Sequence, residues 1–201
     1  MKKSEIPTEV LKYELRKMQI KLAEESRSTF LTFVKKVWPE FIAGSHHKII
    51  AQKFEDISRG KIKRLIVNMP PRHTKSEFAS HLFPAWMLGQ KPKLKIIQTT
   101  HTAELSYNFG RKVRNLFDQQ EFKDVYPTVS LSQDSKAAGR FTTNAGGEYF
   151  AAGVGGAITG RGADLLIIDD PHSEQDALSQ TAMDNAYEWY TSGPRQRLQP
   201  G

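Results

Sequence analysis

Two short stretches of this sequence hold residues that could handle a phosphate. In "LIVNMPPRHTKSEF", residues 65–78, Lys75 and Ser76 follow an apolar run and open a helical pattern. In "ADLLIIDDPH", residues 163–172, a second apolar run ends in Asp169 and Asp170. A phosphate-binding loop needs backbone N–H groups turned inward, a lysine on the outer phosphates and a hydroxyl on Mg²⁺. An acidic strand end supplies the other half. Asp169 would hold Mg²⁺ opposite the Ser76 hydroxyl, and Asp170 would orient or deprotonate the attacking water. Adjacent carboxylates at a buried strand end repel each other and need a cation or donors nearby.

Neither stretch is decisive alone. Counting back from Lys75, the two glycine positions of a phosphate loop hold Met69 and Thr74. Pro70 and Pro71 fix φ where glycine would give freedom, and Arg72 and His73 add donors that a glycine loop lacks. The helix N-terminus that follows can receive an anion. The plainer alternative is a proline-stiffened corner with a surface lysine, and Asp-Asp-Pro is equally a turn exit. Together, at the ends of two different predicted strands, the segments point to an ATPase. The Gly-rich "GVGGAITGRG" precedes a strand instead of following one, so its glycines are read as letting the chain turn tightly beneath the sheet. Arg161 within it could reach a phosphate or a neighbouring subunit's site, or simply form a surface ion pair. His47 is read as a helix-surface residue or a stacking partner for a base. His46, His73, His81, His101 and His172 show no zinc spacing.

The elements that must position these residues follow from periodicity. Helices are expected over 4–25, with Leu11, Leu15, Met18 and Leu22 on one face, over "STFLTFVKKVWPEF", and over "SHHKIIAQKFEDISRG". The last would bury Ile49, Ile50 and Phe54 and cap at Gly60. Strands "RLIVNM", "LKIIQTT", "EYFAAGV" and "ADLLIIDD" then alternate with helices "KSEFASHLFPAWMLG", bent at Pro84, "AELSYNFGRKVRNLFDQQ" and "SEQDALSQTAMDNAYEWYTS". A polar loop is expected between the second helix and the third strand. This alternation predicts an α/β fold with a parallel sheet covered on both faces. With 201 residues, 38% hydrophobic and 25% charged, the chain suits one well-buried domain. A net charge of +7 favours polyanions, or merely keeps the surface solvated. The absence of cysteine excludes disulfides and thiolate metal sites and suits a reducing compartment.

Three stretches together, "HHKIIAQKFEDISRGKIKRLIVNMPPRHTKSE", "GGEYFAAGVGGAITGRGADLLIIDDPH" and "RQRLQPG", resemble the large subunit of tailed-bacteriophage terminase, the ATP-driven motor that packages viral DNA. The resemblance runs from about Phe30 to the last residue. It implies a three-layer P-loop NTPase of the additional-strand type, an α/β fold with a mostly parallel sheet. Residues 1–44 would form a helical N-terminal extension and residues 45–201 the ATPase domain. ATP would be bound by Pro71, Arg72, His73, Thr74, Lys75, Ser76 and Glu77, with Mg²⁺ on Ser76 and Asp169. Asp170 matches the catalytic acid, Arg161 an arginine finger acting on the adjacent subunit of a ring, and Arg72 a phosphate sensor. The implied partners are double-stranded DNA, the procapsid's portal protein, the terminase small subunit and further copies in a homo-oligomeric ring. The implied setting is the host cytoplasm, docked on the procapsid, with no membrane.

Two departures qualify that resemblance. Thr74 stands where most relatives have glycine, so the loop is expected to form with Thr74 avoiding positive φ. Whole large subunits continue into another strand and a nuclease domain, and this sequence stops before both, which reads as a fragment. Rival readings are a helicase-like nucleic-acid-dependent ATPase, which would need arginine-bearing motifs in a second motor domain, and a non-hydrolytic DNA or portal docking module.

Overall fold

The computed structural model describes residues 7–158 and 160–199. The first residues of the expected N-terminal helix, Thr159 in the Gly-rich segment and the closing Pro200-Gly201 lie outside it. Five strands form one open mixed sheet in the order β2-β3-β4-β1-β5. They are β1 (Lys95–Thr100), β2 (Leu131–Ala137), β3 (Arg140–Thr143), β4 (Glu148–Gly153) and β5 (Leu165–Ile168). The central strand β1 runs parallel to β4 and β5. It is buried along its whole length after Lys95, as a strand covered on both faces must be.

The sheet is only partly parallel. β2 and β3 form an antiparallel hairpin that adds to β4. This hairpin replaces the expected polar loop: "LSQDSKA" and "RFTT" lack apolar alternation, and β2 lies at the sheet's edge, where one side needs no buried neighbour. Phe141 supplies the hairpin's anchor by stacking on Tyr149 at 4.8 Å.

The expected strand "RLIVNM" does not form. Residues 64–69 carry no ladder pairing. Leu65, Val67 and Met69 pack against the core, while Ile66 is 86% exposed. The period of two is therefore real, but only one face is covered. β5 pairs with β1 alone over its four residues. At the entry to β5, residues 197–199 lie parallel beside Ala163. The Ala163 N–H donates to the Arg197 carbonyl (2.8 Å), and the Gln199 N–H donates to the Ala163 carbonyl (2.9 Å).

Helices α1 (Thr8–Ser28), α2 (Phe30–Val37) and α3 (Ser45–Ser58) precede the sheet. Phe30 of α2 touches Phe54 of α3 and then Phe78, Phe83 and Trp86 at ring separations of 5.3–5.9 Å. This aromatic cluster makes the upstream helices part of the same core that backs the sheet. Ile50 and Phe54 are buried as expected, but Ile49 is 64% exposed, one step round the helix from the packed face. Gly60 takes φ 71° just past the end of α3, and its N–H donates to the Ile57 carbonyl.

The helix after the lysine loop is irregular before Pro84, not at it. A π-turn spans Glu77–Leu82 and leads into α4 (Phe83–Gln90). Proline supplies no N–H, so the preceding turn is freed from regular pairing and widens. Downstream, α5 (Ala103–Leu116) is capped by the Thr102 hydroxyl. Its Ser106 Oγ ties the ends of β1 and β4 together by meeting Thr100 Oγ1 (2.9 Å) and donating to the Ala152 carbonyl (2.6 Å). The predicted long helix breaks after Leu116, and α6 (Gln120–Val125) is separate. After β5, a short turn and α7 (Gln180–Ser192) replace the single expected helix. Among the described residues no helix is long and apolar enough to cross a membrane.

Candidate functional site

The lysine loop and the acidic strand end meet. Lys75 Nζ is in direct ion-pair contact with Asp170 and lies 3.5 Å from Asp169 Oδ1. The two aspartates differ in setting. Asp169 is buried, and its second oxygen accepts a hydrogen bond from the buried Ser80 hydroxyl at 2.8 Å. The Asp170 side chain is 61% exposed and faces the cleft. Burial alone would lower the Lys75 pKa. The Asp170 hydrogen bond and the two carboxylate charges outweigh it and hold the ammonium above its ordinary value.

Sequence places these groups through β5. Its apolar run, hydrogen-bonded to β1, carries the chain to Asp169, whose N–H donates to the Thr99 carbonyl (2.9 Å). Asp170 then takes φ 43°, and its carbonyl accepts from the His101 N–H (3.1 Å). A left-handed residue turns the chain sharply, which is what separates two adjacent carboxylates into one fixed and one free.

The loop itself answers the question raised by its missing glycines. Arg72 has φ 63° and Thr74 φ 62°, so Thr74 does not avoid the left-handed region. Two left-handed residues so close together are what a turn needs to point successive N–H groups to one side, as in an anion-binding nest. For a β-branched residue this conformation carries strain, and the strain is held from outside the loop. The Gly44 N–H donates to His47 Nδ1 (2.9 Å), so the ring proton resides on Nε2. Nε2 then donates to Thr74 Oγ1 (2.6 Å), and the Thr74 hydroxyl donates to the His73 carbonyl (2.6 Å). Burial first, then the neighbouring His46 and His73, lowers the His47 pKa and keeps the ring in this neutral tautomer.

His47 is therefore neither a surface residue nor free to stack on a base. It is buried, 27 positions upstream of the residue it braces, and no local spacing announces it. Ser80 was likewise missed, since a serine inside a helix carries no distinctive signal.

The cleft at this loop has a volume of about 440 Å³ and is lined by Met69, Pro70, Asp170 and all seven residues Pro71, Arg72, His73, Thr74, Lys75, Ser76 and Glu77. That is the size of a small-ligand site. Thr74 offers its carbonyl to the Phe78 N–H (3.0 Å), so the helix starts here, and its first N–H groups have no intrahelical partner. Glu77 turns toward His81 (3.0 Å) and Lys112, in contact with both. The His81 hydrogen bond, against the opposing effect of burial and with help from Lys112, brings its pKa to about 2.

Arg161 is not brought to this cleft. Its guanidinium pairs with Glu148 and lies 4.0 Å over the Phe150 ring. Glu148 stands opposite Lys95 at the start of the parallel strands, whereas Asp169 and Asp170 follow their far ends. Within one chain Arg161 and Lys75 thus occupy opposite ends of the sheet. Gly155 and Gly160, both at φ 78°, make tight turns, but the Gly155 turn directly follows β4 at the C-terminal end of the parallel strands and is not beneath the sheet. No protein-family model matches this chain, and no curated protein matches it.

Proposed function

We propose that this chain is the ATP-hydrolysing portion of a DNA-packaging motor of the bacteriophage terminase large-subunit type, with a P-loop NTPase fold. The observation that carries the reading is the meeting of Lys75, on a loop with two left-handed residues, with both Asp169 and Asp170. A lysine at a helix start and two carboxylates at a strand end, joined across 95 residues of sequence, make a site for a polyphosphate and its attacking water. Residues 197–199, lying parallel beside Ala163 at the entry to β5, support the additional-strand arrangement.

Each group has a role in this reading. Lys75 exchanges its Asp170 contact for an outer phosphate oxygen, whose negative charge it offsets. Asp170, released and exposed, takes the proton from water or orients it. Asp169 stays fixed by Ser80. The Thr74–His47 bond keeps the loop N–H groups aimed at the anion in advance of binding. The donors present, a hydroxyl and a carboxylate, suit Mg²⁺: Ser76 and Asp169 would hold it, and it would offset the negative charge of the phosphates. Arg161 acts on a neighbouring subunit's site in this reading. The net charge of +7 suits a duplex DNA substrate.

The test is paired. Lys75→Ala should abolish DNA-stimulated ATP hydrolysis and lose nucleotide affinity in a fluorescent-nucleotide titration. Asp170→Asn should abolish hydrolysis while keeping or tightening binding. Near-normal turnover in Asp170→Asn would move the catalytic carboxylate elsewhere, and nucleotide binding unaffected by Lys75→Ala would remove the loop from the site. Stimulation by procapsids carrying a portal would separate packaging from unwinding.

A further inference from the structure

Helix α1 buries only Ala23 and Ser26. Its C-terminal end is fastened to the body by Arg27 Nε, which donates to the Val125 carbonyl (2.7 Å), and by the Ser26 carbonyl, which accepts from Trp86 Nε1 (2.9 Å). Over residues 8–22, about 22 Å of helix, nothing is buried. Yet this stretch exposes Leu11 at 47%, Leu15 at 58%, Met18 at 66% and Leu22 at 39%. Their spacing of four, three and four residues is the 3.5-residue repeat of a helix-pairing seam. A helix of this length without a packed face is marginal in water, so the seam calls for a partner.

We infer that α1 pairs antiparallel with α1 of a second copy of this chain, about a two-fold axis between Leu15 and Met18. This arrangement sets Leu11 against Leu22 and Leu15 against Met18 of the other copy, so every layer of the seam is filled. The flanks choose the direction. Glu14 and Lys21 lie on the same flank, one heptad apart, and neither is in an ion pair among the described residues. Antiparallel pairing brings each Glu14 to the other copy's Lys21. Parallel pairing would set Glu14 against Gln19 and Lys21 against Ser26, with no charge match. The helix is also balanced in charge: Glu9, Glu14, Glu24 and Glu25 offset most of Lys12, Arg16, Lys17, Lys21 and Arg27. That balance suits a copy of itself better than nucleic acid or an anionic membrane. A pairing this long buries on the order of 1,000 Å² in total, at the low end for specific interfaces, which puts its affinity in the micromolar range.

This pairing is independent of the ATPase reading, and its test needs no nucleotide. Sedimentation equilibrium of the full chain should show a monomer–dimer equilibrium that Met18→Glu abolishes, with the helical circular dichroism of the body retained. Glu14→Lys turns two attractions into two repulsions and should weaken the dimer about tenfold. Adding Lys21→Glu to it should restore the wild-type constant. Because the chain has no cysteine, mixed Leu15→Cys and Met18→Cys chains should form a disulfide-linked pair faster than either alone. The inference is overturned by a monomer at all concentrations up to about 100 µM, by a dimer unaffected by Met18→Glu, by no rescue in the double reversal, or by self-linking of Leu15→Cys chains as the faster reaction. Association that appears only with added duplex DNA or phosphatidylserine vesicles would overturn it in favour of those partners.

Discussion

Replacing Thr74 by glycine and, separately, by alanine reads the backbone of the lysine loop directly. Both changes delete the hydroxyl between His47 and His73, so that loss is common to the pair. It leaves the buried Nε2–H of His47 without an acceptor, a cost of about 1–3 kcal/mol. What differs is the backbone. At φ 62° a side chain with a Cβ carries roughly 1–2 kcal/mol of left-handed strain that glycine lacks. Against this, glycine adds about 0.5–1 kcal/mol of unfolded-state entropy. Glycine should therefore be more stable than alanine by about 0.5–1 kcal/mol, although both fall below wild type. In a helical or extended loop the order reverses, with alanine ahead by about 0.5–1 kcal/mol. Urea unfolding followed by circular dichroism resolves the order, and melting temperatures should separate by roughly 2–4 °C per kcal/mol for a chain of this size. Thr74→Ser keeps the hydroxyl and loses the branch, so it should match or slightly exceed wild type. Alanine equal to or above glycine would refute the left-handed loop, and alanine equal to wild type would refute the histidine brace.

Three other expectations can be checked with the same protein. Glu77, with its pKa lowered from 4.5 to about 2, contributes stability that is fully present above pH 4.5 and is lost as pH falls through that window toward 2. Glu77→Gln should flatten the acid limb of stability against pH by about 1–2 kcal/mol, allowing for solvent screening of a carboxylate one-third exposed. Ser80→Ala should cost about 1–3 kcal/mol by removing a donor from buried Asp169; adding Asp169→Ala should cost less than the two single losses summed, and strict additivity in urea melts would deny their coupling. Arg161→Ala should leave nucleotide binding unchanged, because its Glu148 and Phe150 contacts lie away from the cleft. On the proposed function, mixing Arg161→Ala with Lys75→Ala subunits should then return part of the ATP hydrolysis, and no recovery despite co-assembly would leave Arg161 as a structural residue.

The parts of this fold that sequence made legible are those where one neighbourhood decides. β1, β4 and β5 hold short apolar runs, and where such a run is buried on both faces, as in β1, little choice of conformation is left. Lys75 and Asp170 are linked in the sequence because each follows an apolar run and ligands gather beyond strand ends; Asp170 does follow a strand, whereas the run before Lys75 packs one face on the core without joining the ladder. The β2–β3 hairpin was illegible for the converse reason: "LSQDSKA" is polar and gains its strand only by pairing. Residues 64–69 show the opposite error, since their alternation is that of a strand and yet no ladder covers them. The brace on Thr74 escaped altogether. Its donor comes from α3, and whether a threonine can hold positive φ depends on a contact that local propensity does not encode.

The π-turn at Glu77–Leu82 has a consequence for how this helix can vary. Where an α-helix closes each bond across four residues, the π-turn closes it across five, as the Phe83 N–H does with the Phe78 carbonyl. The segment thus behaves as an α-helix with one residue inserted. An insertion of this kind shifts phase: the side chains before it and those after it are rotated relative to each other by about one residue's step. The start of the helix can then present Lys75 and Ser76 to the cleft while Phe83, Trp86 and Leu88 remain in register with the aromatic core. Removing one residue from the turn would regularise the helix and force a choice, either keeping the core's alignment and turning the lysine away, or keeping the lysine and unseating the core. The irregularity is what allows one continuous helix to serve two partners whose angular requirements differ.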